Sequence, residues 1–312
     1  MATKTIRFRC KFRAWNGNSP MPCITLLALA GALAIRAAAA PQSGIAEVNG
    51  TKLYYEMAGK GHALILLHGG AVDSRAWDDQ FNVFATRYKV VRYDLRGSGK
   101  SANPEKPFSN SEDLYALLRF LKIDKAYLLG ISRGGGIAFD FALEHPEMVD
   151  ALILISANLG HTPAAYEAMF ARATEAGKKQ GAAAAAAVWG NDPYQGPVRD
   201  EARPRVLQVL EENLPRFRHF DGSVAVQQLE SSKGPAYKRL SEIHAPTLII
   251  AGEKDNVDAR ANYDNWAKGI PNAKKMVFPG AAHLVNIDKP QEFNQAVFGF
   301  LANLPGRTNR DR

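Results

Sequence analysis

The chain has 312 residues, of which 46% are hydrophobic and 22% charged, and its formal net charge is +8. Its main body is long enough to enclose a core of its own. Residues 1–40 hold Lys4, Arg7, Arg9, Lys11, Arg13 and Arg36 and no acid, so six of the formal charges sit there and about +2 remains for the rest. The basicity therefore belongs to the leader and excludes a nucleic-acid footprint spread over the chain.

Taken in order, the leader comes first. Ile24 to Ile35 is an apolar stretch, and Arg36-Ala37-Ala38-Ala39-Ala40-Pro41 offers small residues for processing. Residues 1–40 read as a secretory signal peptide, with Met21 as an alternative start, and the mature protein is expected to begin near Ala40 to Gln42. The expectation is a periplasmic or secreted enzyme with no stable membrane span in its mature form. The rival readings are a retained N-terminal anchor, for which the stretch is short, and a cytoplasmic enzyme. Both cysteines, Cys10 and Cys23, fall in the leader, which leaves no disulfide or thiol chemistry beyond it. No heptad run, internal repeat or metal-ligand cluster occurs.

Ala46 to Met57 reads as a hairpin turning at Asn49-Gly50. Ala63 to Leu67 and Lys89 to Tyr93 are inner strands. Ser111 to Leu121 has helical periodicity, with Asn110 or Ser111 as its cap and Asp113 in the first turn. The apolar run Lys125 to Gly130 reads as a buried strand and Gly134 to Leu143 as a helix. Between them lies Gly130-Ile131-Ser132-Arg133-Gly134, a G-x-S-x-G segment in the strand-turn-helix setting that lifts a serine hydroxyl clear of a sheet. Val149 to Ile155 is almost wholly apolar, as for a strand covered on both faces. From Leu159 to Leu240 the pattern is helical without convincing strands, and alanines 182 to 187 mark a helix by propensity. Ala245 to Gly252 and Lys274 to Phe278 are further strands, and Gln291 to Leu304 is helical again.

A serine hydroxyl is a poor nucleophile until an imidazole takes its proton, and that imidazole needs a carboxylate on its other nitrogen. Ser132, Asp255 and His283 each lie just past a strand end, in the order serine, acid, histidine. Asp258 and Glu253 compete for the acid role, and Asp255 is favoured by its place three residues beyond Gly252. His68 is the rival histidine; the glycines after it suit another task, and its side chain is expected to bond to loop backbone.

These residues resemble the α/β-hydrolase superfamily, in its group of esterases, enol-lactonases, carbon–carbon bond hydrolases and cofactor-free haloperoxidases. The likeness covers residues 45–304. It rests on His68-Gly69-Gly70, on Tyr93 to Ser101 as the D-x-R-G-x-G-x-S segment, on Glu144-His145-Pro146-Glu147, and on Ala282-His283-Leu284-Val285 with Pro290 and Phe293. Arg133 departs from many relatives, which carry Met, Leu, Gln or Trp after the nucleophile. The resemblance implies an eight-stranded, mostly parallel sheet flanked by helices, with a core of residues 45–158 and 241–304, a helical cap of residues 159–240 inserted after the sixth strand, and a tail of residues 305–312. It implies backbone N–H groups of Gly70 and Arg133 as the oxyanion hole. Trp77, Arg133, Tyr166, Met169, Phe170, Trp189 and Tyr194 are candidates to line a substrate pocket, each with ordinary packing as its alternative. For the Arg133 side chain the alternatives are a substrate carboxylate under the cap or a structural Asp or Glu.

The function implied is hydrolysis of a small ester or lactone through an acyl-enzyme. The alternatives are carbon–carbon bond hydrolysis on the same fold and a non-enzymatic ligand-binding module. A proline-specific peptidase lacks its further signals, and a serine at position 132 argues against a dehalogenase or epoxide hydrolase. No cofactor, metal or nucleic acid is expected; the partner is a small-molecule ester or lactone.

Overall fold

The computed structural model describes residues 41–160, 162–220, 225–229 and 234–304. Residues 1–40, read above as a leader, and the tail of residues 305–312 lie outside them. Strand β1 (Gln42–Val48) turns into β2 (Thr51–Ala58) at Asn49-Gly50, whose φ angles of 44° and 65° are those of a tight hairpin turn. Next come β3 (Ala63–Leu67), helix α1 (Asp78–Phe84), β4 (Lys89–Tyr93) and α2 (Asn110–Phe120). Then follow β5 (Ala126–Ile131), α3 (Arg133–Glu144) and β6 (Val149–Ile155). After β6 the chain leaves the sheet for α4 (Ala164–Gln180), α5 (Ala182–Gly190) and α6 (Arg203–Phe217). It returns as β7 (Thr247–Gly252), α7 (Val257–Gly269), β8 (Ala273–Phe278), the single turn α8 (Val285–Asp288) and α9 (Pro290–Ala302).

The eight strands form one sheet in the order β1-β2-β4-β3-β5-β6-β7-β8. The β1/β2 and β2/β4 pairs are antiparallel and all others parallel. Every residue of β3, β5 and β7 is buried, because helices cover both faces. Alternation along the strands splits the core in two. Ile65, Leu67, Leu128, Leu152, Leu154 and Ile249 pack with residues of α2, α3 and α7. Leu64, Leu66, Leu129, Ile153, Leu248 and Ile250 pack with residues of α1 and α9.

The insertion has its own apolar cluster, with Met169, Ala185, Ala186, Trp189, Val206 and Leu210 at its centre. It closes on Ala71, Val72 and Ala76 after β3 and on Ile287 of α8. The small side chains of α5 account for its place in the middle, in contact with both α4 and α6. Gly181, at φ 89°, makes the break between α4 and α5.

One local expectation is corrected. The cap of α2 is Ser109, whose side chain accepts from the Glu112 N–H; Asn110 and Ser111 are already helical and buried. The helices α1 and α7, which the apolar runs did not reveal, flank the sheet on opposite faces.

Candidate active site

Ser132 stands between β5 and α3 at φ 53°, ψ −118°, a conformation that costs a non-glycine residue energy and persists only where its surroundings dictate it. Its N–H donates to the Ile155 carbonyl (2.9 Å), and its own carbonyl accepts from Gly136 (3.1 Å) and Asn158 (3.0 Å). The flanking glycines are needed for space. A Cβ on Gly130 would lie 2.3 Å from the Gly134 carbonyl oxygen, and one on Gly134 would lie 2.3 Å from the Leu67 carbonyl oxygen.

Asp255 and His283 meet because β7 and β8 are neighbours and their trailing loops are laced together. Glu253 N–H donates to Phe278 O (3.0 Å) and Lys254 N–H to Ala281 O (2.8 Å). Both side chains are buried, and His283 Nδ1 lies 3.2 Å from Asp255 Oδ2. The carboxylate has three further donors. Asn256 N–H (2.8 Å) and the Tyr166 hydroxyl bond to Oδ1, and the Tyr263 hydroxyl (3.0 Å) bonds to Oδ2. Burial alone would raise the Asp255 pKa; the charge and hydrogen bond of His283, with Tyr166 and Asn256, outweigh it and hold the group below the ordinary value of 3.8. Burial beside that carboxylate pushes both tyrosines up, so each stays protonated and donates. His283 Nε2 is buried and has no hydrogen-bond partner among the described residues, Ser132 included.

His68 does what its flanking glycines suggest. Its Nδ1 meets the Gly69 carbonyl (2.7 Å) and its Nε2 accepts the Leu95 N–H (2.9 Å), which fixes the loop. The D-x-R-G-x-G-x-S segment is scaffolding of the same kind. Asp94 accepts from Ser74 and Lys100 N–H groups, Arg96 grips Asp113 at 2.9 and 2.6 Å, and Ser101 bonds to Asp94 O and Tyr54 N.

Two cavities share Ser132, Gln195 and His283. The first, of about 600 Å³, is bounded by Gly69, Gly70, Ile131, Trp189, Val206, Val209, Leu210 and Leu284, with Arg75 and Arg205 among its few charged residues. The second, of about 360 Å³, is more polar, with Ser156, Asn158, Thr162, Tyr166, Asn262 and Tyr263 beside Phe170 and Trp266. Gly70 and Ser132 thus border one space, and Arg133 begins α3, where the first N–H groups of a helix have no intrahelical acceptor.

Among the candidate lining residues, Tyr166, Phe170 and Trp189 border these cavities. Trp77 is corrected: it is fully buried against Phe293 in the core between sheet and α9. Met169 is likewise buried in the packing of the insertion. The Tyr194 side chain is 39% exposed and lines neither cavity, but its carbonyl accepts the His283 N–H (2.9 Å). The Arg133 side chain lies outside both cavities, near the Phe217 ring, and donates to Gln228 Oε1 (2.9 Å). Among the described residues it has no Asp or Glu partner; its contacts are with Phe217 and Gln228 of the insertion.

Several residues of the site were not anticipated. Tyr263 was readable in principle, since Ala259, Tyr263 and Trp266 follow the buried face of α7. Gln195 and Asp288 carry no such signal. Asp288 takes the N–H of Ala282 on one oxygen and those of Val198 and Arg199 on the other, tying the histidine loop to the insertion.

Residues 62–290 match the alpha/beta hydrolase fold family. The chain belongs to that family, and is a hydrolase-fold enzyme related to esterases and lactonases. It is 30% identical over 241 residues to 3-oxoadipate enol-lactonase 2 of Acinetobacter baylyi, covering 75% of this chain and 86% of that one. It is 27% identical over 270 residues to the 2-hydroxy-6-oxo-6-phenylhexa-2,4-dienoate hydrolase of Burkholderia cepacia, covering 81% and 92%. Among solved structures, the N-acyl homoserine lactone degrading enzyme Est816 superposes with a TM-score of 0.65 at 28% identity, covering 82% of this chain and all of that one. No described helix is long and apolar enough to cross a membrane.

Proposed function

We propose that the protein is a serine hydrolase that cleaves small, uncharged esters or lactones through an acyl-enzyme on Ser132. The observation that carries this reading is the strained Ser132 turn opening onto the same two cavities as the Asp255-paired His283. Ser132 Oγ attacks the scissile carbonyl as its proton passes to His283 Nε2, and the same proton then goes to the leaving alkoxide. Water, deprotonated by His283, attacks the acyl-enzyme and returns Ser132 with the acid product. Asp255 holds the imidazole with Nδ1–H directed at its carboxylate and balances the charge that forms on the ring. The backbone N–H groups of Gly70 and Arg133 receive the oxyanion.

The apolar first cavity suits an alkyl or acyl chain, and the second suits the more polar side of the scissile bond. The enol-lactonase and the acyl homoserine lactone degrading enzyme support lactones as the leading substrates. The Burkholderia relative supports carbon–carbon bond hydrolysis as the second reading. Steady-state assays on p-nitrophenyl acetate to hexanoate, γ- and δ-lactones and a 2-hydroxy-6-oxo-dienoate distinguish them. Turnover of esters or lactones with no dienoate cleavage is the expected result; dienoate cleavage alone would replace this reading with the second. We also propose export, from the leader of residues 1–40; N-terminal sequencing of the natural protein checks it, and a retained residue 1 or 21 on soluble cytosolic protein would rule processing out.

A further inference from the structure

Gln195 borders both cavities together with Ser132 and His283. It is 3% exposed, yet no protein group among the described residues hydrogen-bonds its carboxamide. Bordering the cavities, that carboxamide gives up water to whatever fills them, and a ligand that offers it no hydrogen bond leaves it unsatisfied. The backbone that carries it is tied down by hydrogen bonds. The Asp192 carboxylate accepts the N–H groups of both Tyr194 and Gln195 at 3.0 Å, and Gly196 N–H closes the turn on Asp192 O (2.9 Å). The Tyr194 carbonyl takes the His283 N–H, so the segment that carries Gln195 is fastened to the histidine loop itself.

We propose that Gln195 is a specificity-determining residue, whose carboxamide hydrogen-bonds a polar substituent of the substrate within two or three bonds of the scissile carbonyl. The proposal rests on the serine-hydrolase reading and adds the substrate class to it: esters or lactones bearing a hydroxyl, oxo or amide group on the α or β carbon. Gln195, Ser132 and His283 border both cavities, so a substrate that occupies both lies against these three residues. A plain alkyl chain there leaves donor and acceptor of the carboxamide unpaired, and a site of that kind discriminates against the analogue lacking the polar group.

The test is kcat/KM for p-nitrophenyl butyrate and p-nitrophenyl 3-hydroxybutyrate with the wild type, Gln195→Leu and Gln195→Met. The wild type should prefer the hydroxylated ester by about tenfold, the worth of one net hydrogen bond in a closed site. Both variants should lose that preference, bringing the kcat/KM ratio of the two esters to about one, and melt no lower than the wild type. A wild type without preference overturns the proposal and needs no variant to do so. An equal loss on both esters, or a preference that survives in both variants, overturns it as well. A wild type that hydrolyses neither ester nor any lactone overturns the serine-hydrolase reading itself, an outcome distinct from activity without discrimination.

Discussion

Ser132, Asp255 and His283 stand at the trailing ends of β5, β7 and β8, whereas Tyr166 and Gln195 come from the insertion that follows β6. The first group is held by backbone: a strained turn between close-packed glycines, and two loops laced by main-chain hydrogen bonds. The second group comes from irregular or helical segments, and the stretch that carries Gln195 is held by Asp192 and Asp288. The sheet can thus keep its chemistry while the insertion varies. One contact crosses the divide most directly, the Tyr166 hydroxyl on Asp255, so the insertion bears on the charge of the site as well as on its shape.

The largest effects should fall on the sheet side. Ser132→Ala and His283→Ala should each lower kcat by about 10⁴-fold or more with an unchanged melting temperature. Stopped activity with loss of the fold would instead assign them to structure. Asp255→Asn should cost about 10³- to 10⁴-fold in kcat, since the amide favours the wrong imidazole tautomer. Tyr166→Phe, on the insertion side, should lower kcat/KM by roughly tenfold. Loss of its hydroxyl takes away one of the hydrogen bonds that orient the Asp255 carboxylate and hold its pKa down. A lowered melting temperature with unchanged kcat/KM would reduce Tyr166 to packing.

Smaller effects sharpen the contrast further. Asp255 is depressed in the folded state, so its ionised form adds stability above the ordinary carboxylate value of 3.8, and that contribution fades as pH falls through the lower folded value. Melting curves of wild type and Asp255→Asn should therefore converge below about pH 4, and a gap that widens there would reverse the sign. Least of all, Arg133→Met should change kcat/KM by no more than about threefold, alike for neutral and carboxylate-bearing esters, because its guanidinium lies outside both cavities. A loss confined to acidic substrates would restore its role in binding.

The same contrast governs what could be read in the sequence. The sheet side announced itself because its chemistry needs particular residues at strand ends: glycines around Ser132, a turn after Gly252, a histidine after Phe278. The inner strands were visible as unbroken apolar runs. The antiparallel placement of β2 against β4 and the cap at Ser109 depend on contacts and on one hydrogen bond, which no local pattern encodes. Trp77 shows the limit plainly, for an aromatic in a loop after β3 looks the same whether it lines a pocket or fills the core. Gln195 and Asp288 were silent because polar residues in irregular segments are ordinary; only burial and partners, or their lack, single them out.

The most direct test of the account is mass spectrometry of the active enzyme after treatment with a fluorophosphonate, which reports which side chain has become a nucleophile. One adduct per chain, on the peptide containing Ser132, with activity lost in proportion and no adduct in Ser132→Ala, is the predicted result. An adduct on any other residue, or a folded and active sample that takes none, would contradict it.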